Sequence, residues 1–152
     1  AYRYLILNRQ ARSSLLAGRA TWVHRPLDAE RMHRAGQALL GTHDFSSYRA
    51  LGCQARSPVR TLRTLRVSRS GELLALEVSA DAFLHHMVRN IAGVLIAIGK
   101  GERPESWAAE VLELRDRTLG GVTAPPDGLY LVRVDYPDDF AIPGPSSLGF
   151  TA

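Results

Sequence analysis

The sequence predicts an α+β fold, an antiparallel sheet with helices packed mainly on one face. Three features carry this reading. Arg60 to Arg69 and Glu72 to Ser79 are strand-like runs joined by the turn Ser70-Gly71, a hairpin signature. Met32, Ala35, Gly36, Leu39 and Leu40 follow the i, i+3, i+4, i+7, i+8 spacing of one buried helical stripe. A helix expected over Ala82 to Ile98 is apolar all round in its second half, as a helix at the centre of a core would be.

The elements follow in order. Tyr2 to Leu7 reads as a strand, and the polar, Arg-rich residues 8–19 as a loop with one helical turn. Asp28 is placed to N-cap the first helix, with Leu27 positioned to staple onto Met32 and Gly41 to close it. Thr42 to Tyr48 is turn-rich, with two aromatics among small polar residues. In Glu72 to Ser79, Leu74, Leu76 and Val78 alternate with Ala75 and Glu77, so one face is expected to be buried. Asp81 can cap the central helix, which stops at Gly99-Lys100-Gly101. Pro104 fits the first position of another helix, where Trp107, Val111 and Leu114 form a short stripe. Gly120 and Gly121 loosen the chain, and Leu129 to Tyr136 alternates as a last strand. Residues 1–140 are expected to form a single domain, and 141–152, with Pro143, Gly144 and Pro145, a flexible or surface-laid tail. The opening Ala1-Tyr2-Arg3-Tyr4-Leu5 reads as the middle of a strand, which raises the expectation that a preceding part has been removed.

Composition narrows the function classes. At 152 residues, with 45% hydrophobic and 22% charged content, the chain is ordinary globular material with enough length for a real core. No apolar run reaches the ~18 residues of a membrane helix, and the N-terminus has no signal-peptide pattern. Cys53, the single cysteine, can make no internal disulfide, which favours a reducing, cytoplasmic setting; it reads as an inert thiol. Of 19 basic residues 18 are Arg, whose planar fork suits phosphates. Residues 1–101 carry net +9 and residues 102–152 net −5. No acid lies between Asp44 and Glu72, where Arg49, Arg56, Arg60, Arg63, Arg66 and Arg69 all fall. Such a series is either a solvated face or one turned to a polyanion, and its length favours the polyanion.

Asp81-Ala82-Phe83-Leu84-His85-His86-Met87-Val88-Arg89-Asn90 is the segment richest in chemistry. Its polar residues occupy the first half of the expected helix, where His85 and Arg89 would share one face and His86 and Asn90 the neighbouring ridge. A guanidinium entering an apolar helix needs an anionic partner. Two alternatives stay open: Arg89 pairs with Asp44 or Asp81 to hold the fold, or it faces the anionic group of a catalytic pocket. No metal-ligand spacing, nucleophile elbow or phosphate loop occurs. Tyr2 and Tyr4, two apart on a strand, point to one face, either as packing partners or with one stacking on a base.

Several segments together resemble the TruA family of tRNA pseudouridine synthases. They are Tyr2-Arg3-Tyr4, Pro26 to Met32, Gly41 to Arg49, Phe83 to Asn90, Asp116-Arg117-Thr118 and Ala124 to Leu131, in the family's order and over essentially the whole chain. The resemblance implies the C-terminal half of that fold, and isomerisation of uridine in the anticodon stem-loop of tRNA by a homodimer without metal or organic cofactor. It also implies a nucleophilic Asp in an Arg-Thr-Asp-Ala-Gly motif, which this sequence lacks, so the chain alone is expected to be inactive. Arg89 matches the arginine set against that carboxylate, Tyr2 the tyrosine that contacts the target uridine, and Phe83 and Leu84 the pocket lining. The Arg series from Arg49 to Arg69 and His85 would face tRNA. Tyr48 departs from the phenylalanine common at its position. The competing expectation is a stand-alone Arg-rich RNA-binding or dimerisation module without catalysis.

Overall fold

Alternation along the hairpin gives the sheet its single buried face. The computed structural model describes residues 1–52 and 55–132; Cys53, the later part of the expected last strand and the tail from Ala141 lie outside them. Strands β1 (Tyr2–Asn8), β2 (Thr21–Val23), β3 (Gly41–Asp44), β4 (Val59–Ser70), β5 (Leu73–Ala80) and β6 (Leu129–Leu131) form one sheet ordered β2-β1-β5-β4-β3. β1 also pairs with β6 along Tyr2 to Tyr4. Tyr4 and Ile6 on β1, Leu62, Leu65 and Val67 on β4, and Leu74, Leu76 and Val78 on β5 supply the buried side. Helices α1 (Ala29–Gln37), α2 (Met87–Gly99) and α3 (Trp107–Leu114) complete the core, with α1 against β4 and α2 between β1 and the other two helices. The expected α+β architecture is what forms.

A β-bulge shapes the Arg-bearing strand. Leu62 pairs with Ala80 but Thr64 with Ser79, so β4 carries one extra residue there. That insertion lets Leu62 and Leu65, three apart, both face the core, and it leaves Arg63 exposed.

α1 forms as its sequence dictates. The Asp28 carboxylate accepts the Arg31 amide at 3.1 Å, and Met32 and Ala35 are buried. Arg31 donates to the Ile98 carbonyl at 2.9 Å, placing a cation at the C-terminal end of α2.

Other expectations need correction. The central helix begins at Met87 rather than Ala82, because His86 takes a left-handed backbone (φ 61°) and the preceding groups are used elsewhere. Asp81 accepts the amides of Thr61 and Ala82 instead of capping a helix, and the His85 carbonyl accepts the Ala50 amide. His85 and Arg89 therefore do not share a helical face. α1 ends at Gln37, and Gly41 opens β3 within the segment read as turns. α3 starts three residues after Pro104, and its core side is Ala108, Val111 and Leu112, with Leu114 46% exposed. β2, which pairs with β1 in parallel, was not expected and makes the sheet mixed at that edge.

Candidate active-site half around Arg89

Arg89 lies in the first turn of α2 and is held by the segment that crosses it. Its Nε donates to the Ala124 carbonyl at 2.8 Å, while its own carbonyl accepts the Ala124 amide at 3.1 Å. The crossing is close: a Cβ on Gly93 would lie 1.7 Å from the Val122 carbonyl oxygen. Among the described residues, no ion pair involves Arg89. The two internal acids considered for it are occupied elsewhere. Asp44 binds Ser46 and lies near Arg115 and Arg49, whereas Asp81 binds Thr61 and Ala82 near Arg60 and Arg63.

Two tyrosines stand on the same face of β1 but in different surroundings. The Tyr4 hydroxyl is fully buried, 2.6 Å from the Thr21 hydroxyl and donating at 2.6 Å to the Pro125 carbonyl. Burial pushes this phenol up to about 12, against the opposing pull of Thr21 and of the Arg89 charge. Tyr2 is half-buried and meets the Phe83 ring edge-on, with centroids 5.0 Å apart. Leu84, next to Phe83 in sequence, is buried in the core, and both precede the N-terminal end of α2. His85 is exposed and its ring stacks on His86 at 4.0 Å. Burial, followed by the charges of His85, Arg89 and Arg117, lowers the His86 pKa and favours a neutral ring. A positive zone at a helix N-terminus suits an incoming anion.

The arginine series is not gathered on one face. Arg66 and Arg63 are exposed, with Arg66 3.7 Å from Glu77 on the uncovered side of the sheet. Arg3 meets the same carboxylate at 3.7 Å. Arg60 turns back to the carbonyls of Ser57 and Val59, and Arg69 donates to Asn8, Leu27 and Gly71. These two are bonded within the chain. Arg49 follows the single turn Ser46–Tyr48 and is half-buried, and Arg56 is exposed. No group of His, Cys, Asp or Glu among the described residues could hold a metal ion, and no helix among them is long and apolar enough to cross a membrane.

Asp44 makes a pH prediction. Burial would raise its pKa, but the Ser46 hydroxyl and amide, with Arg115 and Arg49, hold it below the usual carboxylate range. The folded group keeps its charge to lower pH than the unfolded one. Its stabilisation is therefore complete above the unfolded pKa of about 4 and is lost as pH falls through the lower folded value. Asp44→Asn, which keeps the acceptor and removes the charge, is expected to destabilise at pH 7 by on the order of 1 kcal/mol. In denaturant melts that gap should close as the pH falls below about 4.

The comparisons decide the family. The family model described as tRNA pseudouridine synthase matches residues 35–137, which includes Arg89, the crossing segment and most of the sheet. The chain belongs to that family. Among its tRNA pseudouridine synthase relatives, the enzyme named tRNA pseudouridine synthase A from Nitrosococcus oceani is 61% identical over 142 residues, which is 93% of this chain and 55% of the relative. Its namesakes from Pseudomonas aeruginosa and Methylococcus capsulatus are 60% and 57% identical, over 50% and 52% of their lengths. The chain thus spans about half the length of these pseudouridine synthases.

Proposed function

We propose that this chain is the C-terminal part of an enzyme that isomerises uridine to pseudouridine in the anticodon stem-loop of tRNA. Arg89 faces the nucleophilic aspartate supplied by the remaining part of the enzyme. One observation carries the reading: a guanidinium clamped at its Nε end, in the first turn of a buried helix, with no carboxylate partner among the described residues. An arginine beside a carboxylate keeps that group ionised, as attack on the flipped-out uridine requires. The glycosidic bond then breaks, the base turns and rejoins through its C5 carbon, the C5 proton is lost to solvent while the freed ring nitrogen takes one up, and the aspartate is released unchanged. Tyr2, Phe83 and Leu84 line the pocket for the base, and the exposed arginines Arg63, Arg66 and Arg56, with His85, face tRNA phosphates. The enzyme works as a homodimer in the cytoplasm, without metal or organic cofactor.

Tritium release from uridine-labelled tRNA tests this. The chain alone is expected to release none, and activity is expected to return when the complementary half is supplied. Release by the chain alone overturns the division of the site, and tRNA binding with no activity in the full-length protein would favour a binding module instead. Phosphate contacts carry their own expectation: replacing Arg63 and Arg66 with Ala should flatten the slope of log Kd against log salt by about 1–2. Filter binding over a salt series measures it, and an unchanged slope would make both arginines solvated decoration.

A further inference from the structure

We propose that Thr123 is a positioning residue that sets the aim of Arg89. The inference rests on the reading of Arg89 given above and adds to it a residue that does not touch the substrate. The guanidinium is anchored through Ala124, whose carbonyl accepts Arg89 Nε at 2.8 Å and whose amide donates to the Arg89 carbonyl at 3.1 Å. A long side chain with several rotatable bonds is aimed no better than its anchor is held. Residues 120–125, which contain that anchor, have no regular secondary structure to hold it.

A polar brace does so instead. The Thr123 hydroxyl donates to Asn90 Oδ1 at 2.5 Å and accepts from Arg117 Nη2 at 2.6 Å. Arg117 also reaches Asn90 Oδ1 at 3.1 Å and, through Nη1, the Gly121 carbonyl at 2.8 Å. Asn90, only 3% exposed, closes the set by donating to the Tyr48 carbonyl at 2.8 Å. Asn90 follows Arg89 on α2 and Thr123 precedes Ala124, so the hydroxyl joins the helix to the crossing segment one residue from each end of the Arg89 anchor. A network in which each member is satisfied is rigid, and removing its shared hydroxyl loosens it without opening a cavity.

The test is steady-state kinetics of the full-length enzyme. Thr123→Val, close to isosteric, and Thr123→Ala are expected to lower kcat by about 10- to 100-fold, with KM for tRNA within about twofold, as for a group displaced by a fraction of an ångström. Thr123→Ser, which keeps the hydroxyl, should recover kcat to within about threefold of wild type. Wild-type turnover in the Val and Ala variants, a Ser variant as slow as Val, or equal changes in kcat and KM would overturn the assignment. Arg89→Gln run in parallel separates the two claims. If it is slow while Thr123→Val is fast, only the role of Thr123 falls; if Arg89→Gln itself turns over normally, the reading of Arg89 falls with it.

Discussion

In the full-length enzyme, Arg89→Glu is expected to abolish uridine isomerisation while tRNA affinity stays close to wild type. The side chain leaves the first turn of α2 with its Nε fixed on the Ala124 carbonyl, and no acid among the described residues forms an ion pair with it. A carboxylate at this position would oppose the incoming nucleophile and raise its pKa instead of lowering it. Loss of one preorganised charge-stabilising group costs about 10²–10³ in kcat, and reversal exceeds that. Arg89→Gln should show a smaller loss than Arg89→Glu, and Arg89→Lys should fall between Arg89→Gln and wild type, since it keeps the charge but not the fork that reaches both Ala124 and an acid. Turnover is read by tritium release and affinity by filter binding. Equal losses in both would mean that Arg89 holds the fold rather than the chemistry.

Gly93→Ala should produce the largest loss of stability among single conservative changes near the site. The added Cβ would sit 1.7 Å from the Val122 oxygen and 3.0 Å from its carbonyl carbon, both backbone atoms that cannot rotate away. Alanine improves helix propensity by about 0.8–1 kcal/mol, whereas overpacking costs about 1–3 kcal/mol and more where backbone must shift. The clash wins. The thermal midpoint should drop by several degrees, at about 2–4 °C per kcal/mol. Displacing Val122 also displaces Thr123 and Ala124, so kcat should fall as well. An unchanged midpoint with normal activity would show that the crossing is looser than its geometry.

How much of this was legible in the sequence depended on whether a periodic pattern existed to be read. The β4–β5 hairpin, the capped helix α1 and the apolar second half of α2 all announce themselves by spacing. The start of α2 did not, because Ala82 to His86 is compatible with a helix until its partners are known. Asp81 is used by Thr61 and His85 by Ala50, contacts that only the tertiary fold creates. β2, at three residues, is too short to show any period. Arg89 stands out in the sequence because a charge in an apolar run demands a partner. The hydrogen-bonded brace beside its anchor does not, since Thr123 and Asn90 are 33 positions apart and Arg117 and Asn90 are 27 apart. A buried amide in an otherwise apolar helix was the one available hint. The Arg series shows the opposite error: sequence proximity suggested one face, but the bulge at Arg63 and the inward turns of Arg60 and Arg69 divide it.

In the proposed function, Arg89 keeps an external carboxylate ionised. The pH dependence of kcat/KM in the full-length enzyme, wild type against Arg89→Gln, tests it most directly. The acid limb should move upward by about 1–3 pH units in the variant, with part of the lost activity recovered at higher pH. An acid limb that stays in place, with activity lowered equally at every pH, would contradict it.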